Sequence, residues 1–143
     1  MIRSIKISAL AAALVILLSG CHKTPVERPL QTSDLAGQWA LSSFSATKAV
    51  NVVGTSVDVY IEFREDGTFD LYQQIGQGWY NHFSGTFSVA DGILSGEYSG
   101  GKSWGASYEV TKTDSTLQLS TTGGETYTYQ KTTIPDSVLQ MTY

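Results

Sequence analysis

Apolar and polar residues alternate with a period of two along much of the chain, most clearly at Val57-Asp58-Val59-Tyr60-Ile61-Glu62-Phe63-Arg64. Such a run reads as a half-buried strand with Val57, Val59, Ile61 and Phe63 on one face. Thr68-Phe69-Asp70-Leu71-Tyr72 repeats the pattern with Phe69 and Leu71 inward. A three-residue loop, Glu65-Asp66-Gly67, pairs Phe63 with Phe69. A two-residue loop would set Phe63 against Asp70 and mix the faces. Further on, Asp91-Gly92 as a two-residue turn pairs Val89 with Leu94, Phe87 with Gly96 and Gly85 with Tyr98. Phe87 is then expected to cover the bare backbone of Gly96. Trp104, Ala106, Tyr108 and Val110 form the inward row of a sixth strand. A turn within Thr113-Asp114-Ser115 leads to Leu117 and Leu119, and Thr122-Gly123-Gly124 leads to Tyr127 and Tyr129. Gln38 to Phe44 is the first strand of this set.

Eight antiparallel strands, each with one apolar face, hide those faces and lose their edges by closing. The expected fold is all-β, a single small eight-stranded antiparallel up-and-down β-barrel. A two-sheet sandwich is the alternative, and the short links favour the meander.

The front of the chain is different. Arg3 and Lys6 precede an apolar run from Ile7 to Leu18, and Leu18-Ser19-Gly20-Cys21 follows directly. The run is too short to span a bilayer, so it reads as a signal peptide. Leu18-Ser19-Gly20-Cys21 resembles the lipobox of bacterial lipoproteins, and Cys21 is the only cysteine. That resemblance implies a signal peptide over residues 1–20 and a lipid on Cys21. Residues 21–32, with Pro25 and Pro29, are expected to be a flexible tether that reaches at most about 35 Å. The barrel domain is then 33–143. His22 in place of Asp after the cysteine resembles the outer-membrane sorting rule. His22-Lys23-Thr24 also lacks the acidic cluster of surface-exposed lipoproteins. The expected location is the cell envelope, at the outer membrane and facing the periplasm.

Charge narrows the partners. The chain has nine basic and thirteen acidic residues, and losing Arg3 and Lys6 takes the net charge from −4 to −6. An acidic surface without a Lys/Arg cluster argues against nucleic acid and against electrostatic docking on a membrane. Acyl chains would hold the protein there instead.

Leu35-Ala36-Gly37-Gln38-Trp39 resembles the Gly-x-Trp opening of the lipocalins. Together with the lipobox, Glu62 to Phe69 and Phe83 to Val89, it makes residues 33 to about 134 similar to the lipocalin-like lipoproteins of Bacteroidetes. The resemblance implies that Gly37 and Trp39 close one barrel end and that a basic residue on the last strand, Lys131, packs over the indole. Ile134 to Leu139 offers one helical turn in place of a long C-terminal helix.

Strand order places the tight turns at the end of Trp39 and Lys131. The long connections, including Ser45 to Ser56, Ile75 to Gly78 and Ser99 to Ser103, lie at the other. Small-molecule sites in barrels sit in the mouth. Trp79 and Trp104 are expected to flank it, with Tyr98, Tyr108 and Tyr127 inward, unless the side chains simply fill the barrel.

Catalytic constellations fail. His22 and His82 are the only histidines, one in the tether and one on the outer face, so a Ser/His/Asp triad lacks its base. Zinc lacks ligands, and the Gly-rich stretches precede strands, so no metal or cofactor is expected. Glu62 opposite Asp70 reads as two solvated carboxylates near Arg64. The function expected is a non-catalytic binding module for a small apolar or amphipathic molecule. The competing reading is a filled barrel that contacts an envelope protein through outward Tyr60, Tyr72 and Tyr80.

Overall fold

The computed structural model describes residues 28–46 and 55–143; the signal region, His22 and Cys21 lie outside the described residues. Eight strands form one closed antiparallel barrel in sequence order. They are β1 (Gly37–Ser45), β2 (Val57–Phe63), β3 (Thr68–Ile75), β4 (Asn81–Ala90), β5 (Ile93–Tyr98), β6 (Tyr108–Lys112), β7 (Thr116–Ser120) and β8 (Thr126–Lys131). β1 pairs with β8, so the sheet has no free edge.

The turns set the register as the faces require. Phe63 faces Phe69 across the loop, where Gly67 has φ +82°. Asp91 and Gly92, at φ +52° and +75°, make the two-residue turn that pairs Val89 with Leu94. Tyr127 and Tyr129 face Leu119 and Leu117.

Three features depart from strict alternation. The register of β1 on β8 shifts between Leu41 and Ser43, so Ser42 is an extra residue. Beyond this bulge Phe44 sits opposite the inward Tyr127. The sixth strand begins only at Tyr108, and Ala106, expected inward, is exposed. Trp104 instead reaches β5 from an irregular segment, its N–H donating to the Gly96 carbonyl at 3.0 Å. Finally, a short helix, α1 (Asp136–Gln140), folds against the outside of the sheet. Its Val138, with Ile134, packs on Tyr80, and Tyr60 and Tyr72 join this small second cluster. Tyr80 was expected to be an outward residue free for a partner; it is 9 % exposed, because the chain's own C-terminus covers it.

The main core runs through the barrel. Trp39, Leu35, Leu94 and Leu117 are fully buried at or near the end with the tight turns. The stretch expected to be a tether is folded from Arg28 onward. Leu30 packs on the core, and a 3-10 turn over Thr32–Leu35 leads into β1. The Thr32 hydroxyl accepts from the Val89 N–H at 3.0 Å, and Arg28 pairs with both oxygens of Asp34 at 2.6 and 2.7 Å. The Arg28 hydrogen bonds, helped by the Gln31 N–H, push the Asp34 carboxyl down to about 2.

A depressed carboxyl stabilises the fold fully above its unfolded value of about 3.9 and ceases to as pH falls through the folded one. Thermal melts of the wild type and Asp34→Asn are therefore expected to differ by a constant amount at neutral pH. The difference should shrink below about pH 4 and vanish only below the folded value, at about pH 1. A gap that is as large at about pH 1 as at neutral pH would mean that Asp34 acts through packing and not charge.

Candidate ligand cavity

Trp39 closes one end. Its indole is fully buried and donates to the Leu35 carbonyl at 3.0 Å, which ties the plug to the 3-10 turn. The cation over its ring differs from the one expected. Lys112 Nζ lies 5.9 Å from the ring centroid, whereas Lys131 is exposed and passes beside Gly37. Parity alone does not separate the two: Lys112 continues the inward row of Tyr108 and Val110, and Lys131 that of Tyr127 and Tyr129. Lys131 lies opposite Trp39 in the β1–β8 pairing but leaves its head in solvent.

Above this plug the barrel encloses a cavity of about 160 Å³. Its aliphatic and Phe wall comes from Ile61, Phe63, Phe69, Leu71 and Leu119. Tyr98, Trp104, Tyr108, Tyr127 and Tyr129 supply the rest. Four of the five residues expected at the site thus come together. Trp79 does not. It is half-exposed and its ring packs on Tyr143, 5.6 Å between centroids.

Trp104 enters because Gly96 lets it. A Cβ on Gly96 would lie 2.4 Å from the indole, so Trp104, and not Phe87, covers this glycine. The indole is then held edge-on against Phe69 at 5.0 Å and Tyr108 at 6.3 Å. Such aromatic pairs fix ring orientation as well as filling space.

The rim was not anticipated. Phe44, Val57, Ile75 and Phe83 continue the inward rows past the cavity and are between 40 and 61 % exposed. The signal for Phe44 was present in the sequence. Trp39, Leu41 and Phe44 are spaced by two and then three, which is the trace of a bulge. Phe44 packs tilted against Tyr127 at 4.8 Å and Phe83 against Tyr98 at 5.8 Å, so two rim residues are continuous with the cavity wall.

On the outer face, Glu62 does stand opposite Asp70, and the reason this is tolerated is Arg64, whose guanidinium bonds both carboxylates. His82 Nε2 also meets Asp70 at 2.6 Å and stacks on Tyr72. Burial alone would raise Asp70, but the bonds from Arg64 and His82 outweigh it and hold the carboxyl below its usual range. The Arg64 cation lies between the two acids and offsets their mutual repulsion.

Comparison with known proteins agrees with this architecture. A protein of Bacteroides eggerthii, described as uncharacterized, has a crystal structure that superposes with a TM-score of 0.52 at 19 % identity. The match covers 69 % of this chain and all of that one. At that identity it speaks for the fold alone. No curated protein sequence matches the chain. The family described as "Lipocalin-like domain" matches residues 35–119, more than half of the chain. That span runs from the 3-10 turn that seals the barrel to the cavity residue Leu119, and the chain belongs to the lipocalin-like domain family.

Proposed function

We propose that this protein is a membrane-anchored, non-catalytic binding module that holds a small apolar or amphipathic molecule at the open end of its barrel. One observation carries the reading: an aromatic cavity, sealed by Trp39 below, continues upward into an exposed apolar rim. Exposed apolar surface next to a cavity is costly to leave in water and is a common mark of a binding surface. The size limits what enters. About 150 Å³ suffices for benzene, and drug-sized sites begin near 300 Å³. One ring or a short branched chain fits inside, with any remainder lying over Phe44 and Phe83.

Titration with a single-ring apolar probe such as ethylbenzene tests this. Trp104 emission is expected to change, and the same change is expected in Trp79→Phe, because Trp79 lies outside the cavity. In Gly96→Ala the new methyl displaces the indole, and the response should be lost. Indifference of the wild type to the probe would remove the basis for the reading.

Anchoring rests on the Leu18-Ser19-Gly20-Cys21 pattern. With Cys21 acylated, the protein belongs to the cell envelope, at the outer membrane and facing the periplasm. Labelled palmitate should enter the wild type and not Cys21→Ala; equal labelling would defeat the anchor.

A further inference from the structure

The cavity wall is not uniformly apolar. Tyr129 lies deep in it, between Leu117 and Leu41 in the barrel register, and is 8 % exposed. Tyr129 lines the cavity, and its hydroxyl bonds no other described residue; since no fully buried side-chain oxygen or nitrogen among the described residues lacks a partner, that hydroxyl opens onto accessible space. A phenol tip that opens onto a cavity is free to bond water or a ligand that enters there. The open space next to Tyr129 is the cavity itself. Tyr108 and Tyr127 line the same space, and their phenols are close enough to be felt by that of Tyr129.

The charge around this polar corner is one-sided. Among the described residues no lysine or arginine lines the cavity; Lys112 points inward but sits below, over Trp39. The charged side chain that acts on Tyr108 and Tyr127 is acidic. The Tyr127 hydroxyl donates to Glu125 at 3.4 Å, and Glu125 acts on Tyr108 as well. A carboxylate entering here would lose its water, meet no cation among the described lining residues and come near Glu125. Burial pushes the Tyr129 phenol far above its usual range, so it keeps its proton and remains a donor.

We infer that the cavity selects a compact neutral ring carrying one hydroxyl or carbonyl oxygen, which accepts a hydrogen bond from Tyr129, and that it rejects carboxylates of the same size. The inference rests on the proposed binding role and adds the ligand's chemistry to it. A fatty acid bound by its head group is disfavoured, because no cation among the described residues lines the cavity to meet its carboxylate.

Three probes of nearly equal size separate the possibilities: ethylbenzene, benzyl alcohol and benzoate, titrated calorimetrically into the wild-type protein and Tyr129→Phe. In the wild type, benzyl alcohol should bind and benzoate should bind at least tenfold more weakly. Tyr129→Phe should weaken benzyl alcohol by about five- to tenfold, the size of one net hydrogen bond. Ethylbenzene should bind the variant as well as the wild type or better, because no hydroxyl is then left unpaired. Equal effects on both neutral probes, or none on either, would overturn the role of Tyr129 while leaving the cavity reading intact. Benzoate binding as well as benzyl alcohol would overturn the selection for neutrality, and it can be read in the wild type even if the variant does not fold. If no probe binds, the binding reading itself fails and this inference with it.

Discussion

Trp39→Ala is expected to lower the unfolding free energy by about 3–5 kcal/mol, the usual cost of truncating a buried large aromatic. Few positions in this barrel should cost more. The indole is fully buried, fills the sealed end and reaches no solvent. Its N–H is the donor to Leu35 O, so removal also leaves a buried carbonyl without that partner. The 3-10 turn over Thr32–Leu35 then loses its main tie to β1, and Lys112 loses the ring beneath it. Trp39→Phe separates the contributions. It keeps an aromatic ring and drops the hydrogen bond, and should cost clearly less than Trp39→Ala. Urea unfolding of the two variants gives both values. Losses below about 1 kcal/mol for both would show that the plug does not carry the fold.

Gly85→Ala is the second large effect, and its mechanism is the opposite one. A Cβ on Gly85 would lie 2.0 Å from the backbone oxygen of Glu97 and 2.9 Å from the Phe69 ring. The obstacle on β5 is main chain, which cannot rotate out of the way as a side chain can. Strands β4 and β5 must part around the Gly85–Tyr98 pair, and Phe69 must move as well. Overpacking costs about 1–3 kcal/mol where side chains can yield, and a backbone obstacle places this substitution at the top of that range or above it. The expected result is a destabilised protein with faster amide exchange in β4 and β5. Wild-type exchange in those strands would show that the sheet absorbs the methyl without opening.

The sequence made the barrel readable where turn chemistry and alternation agreed. Glu65-Asp66-Gly67 and Asp91-Gly92 each allow one register that keeps every apolar side chain inside, and the structure has those registers. What was missed involves contacts that alternation does not encode. The bulge at Ser42 turns Phe44 to the rim, and only the three-residue step from Leu41 hints at it. Trp104 reaches the interior from outside any strand, so extending β6 backwards found the right tryptophan and wrongly buried Ala106. Lys112 could have been found, since Tyr108 and Val110 already define its face. The resemblance drew attention to Lys131 on the last strand instead. Tyr80 is buried by α1, a packing that depends on where the twelve residues beyond β8 fall. Trp79, placed at the mouth by its loop, meets Tyr143 at the same C-terminus.

The folded course of Arg28 to Leu35 has a consequence for how the molecule is held. The chain enters the barrel at its sealed end, where Arg28, Leu30 and Asp34 lie beside the β6–β7 turn. Whatever is joined ahead of Arg28 therefore pulls on the plug and leaves the mouth free. An immobilising tag placed there would present the rim of Phe44 and Phe83 to solution. If Cys21 is acylated as proposed, six residues separate the lipid from Arg28, which lies at the end away from the mouth. A ligand would then arrive from the aqueous side rather than by sliding out of the supporting bilayer.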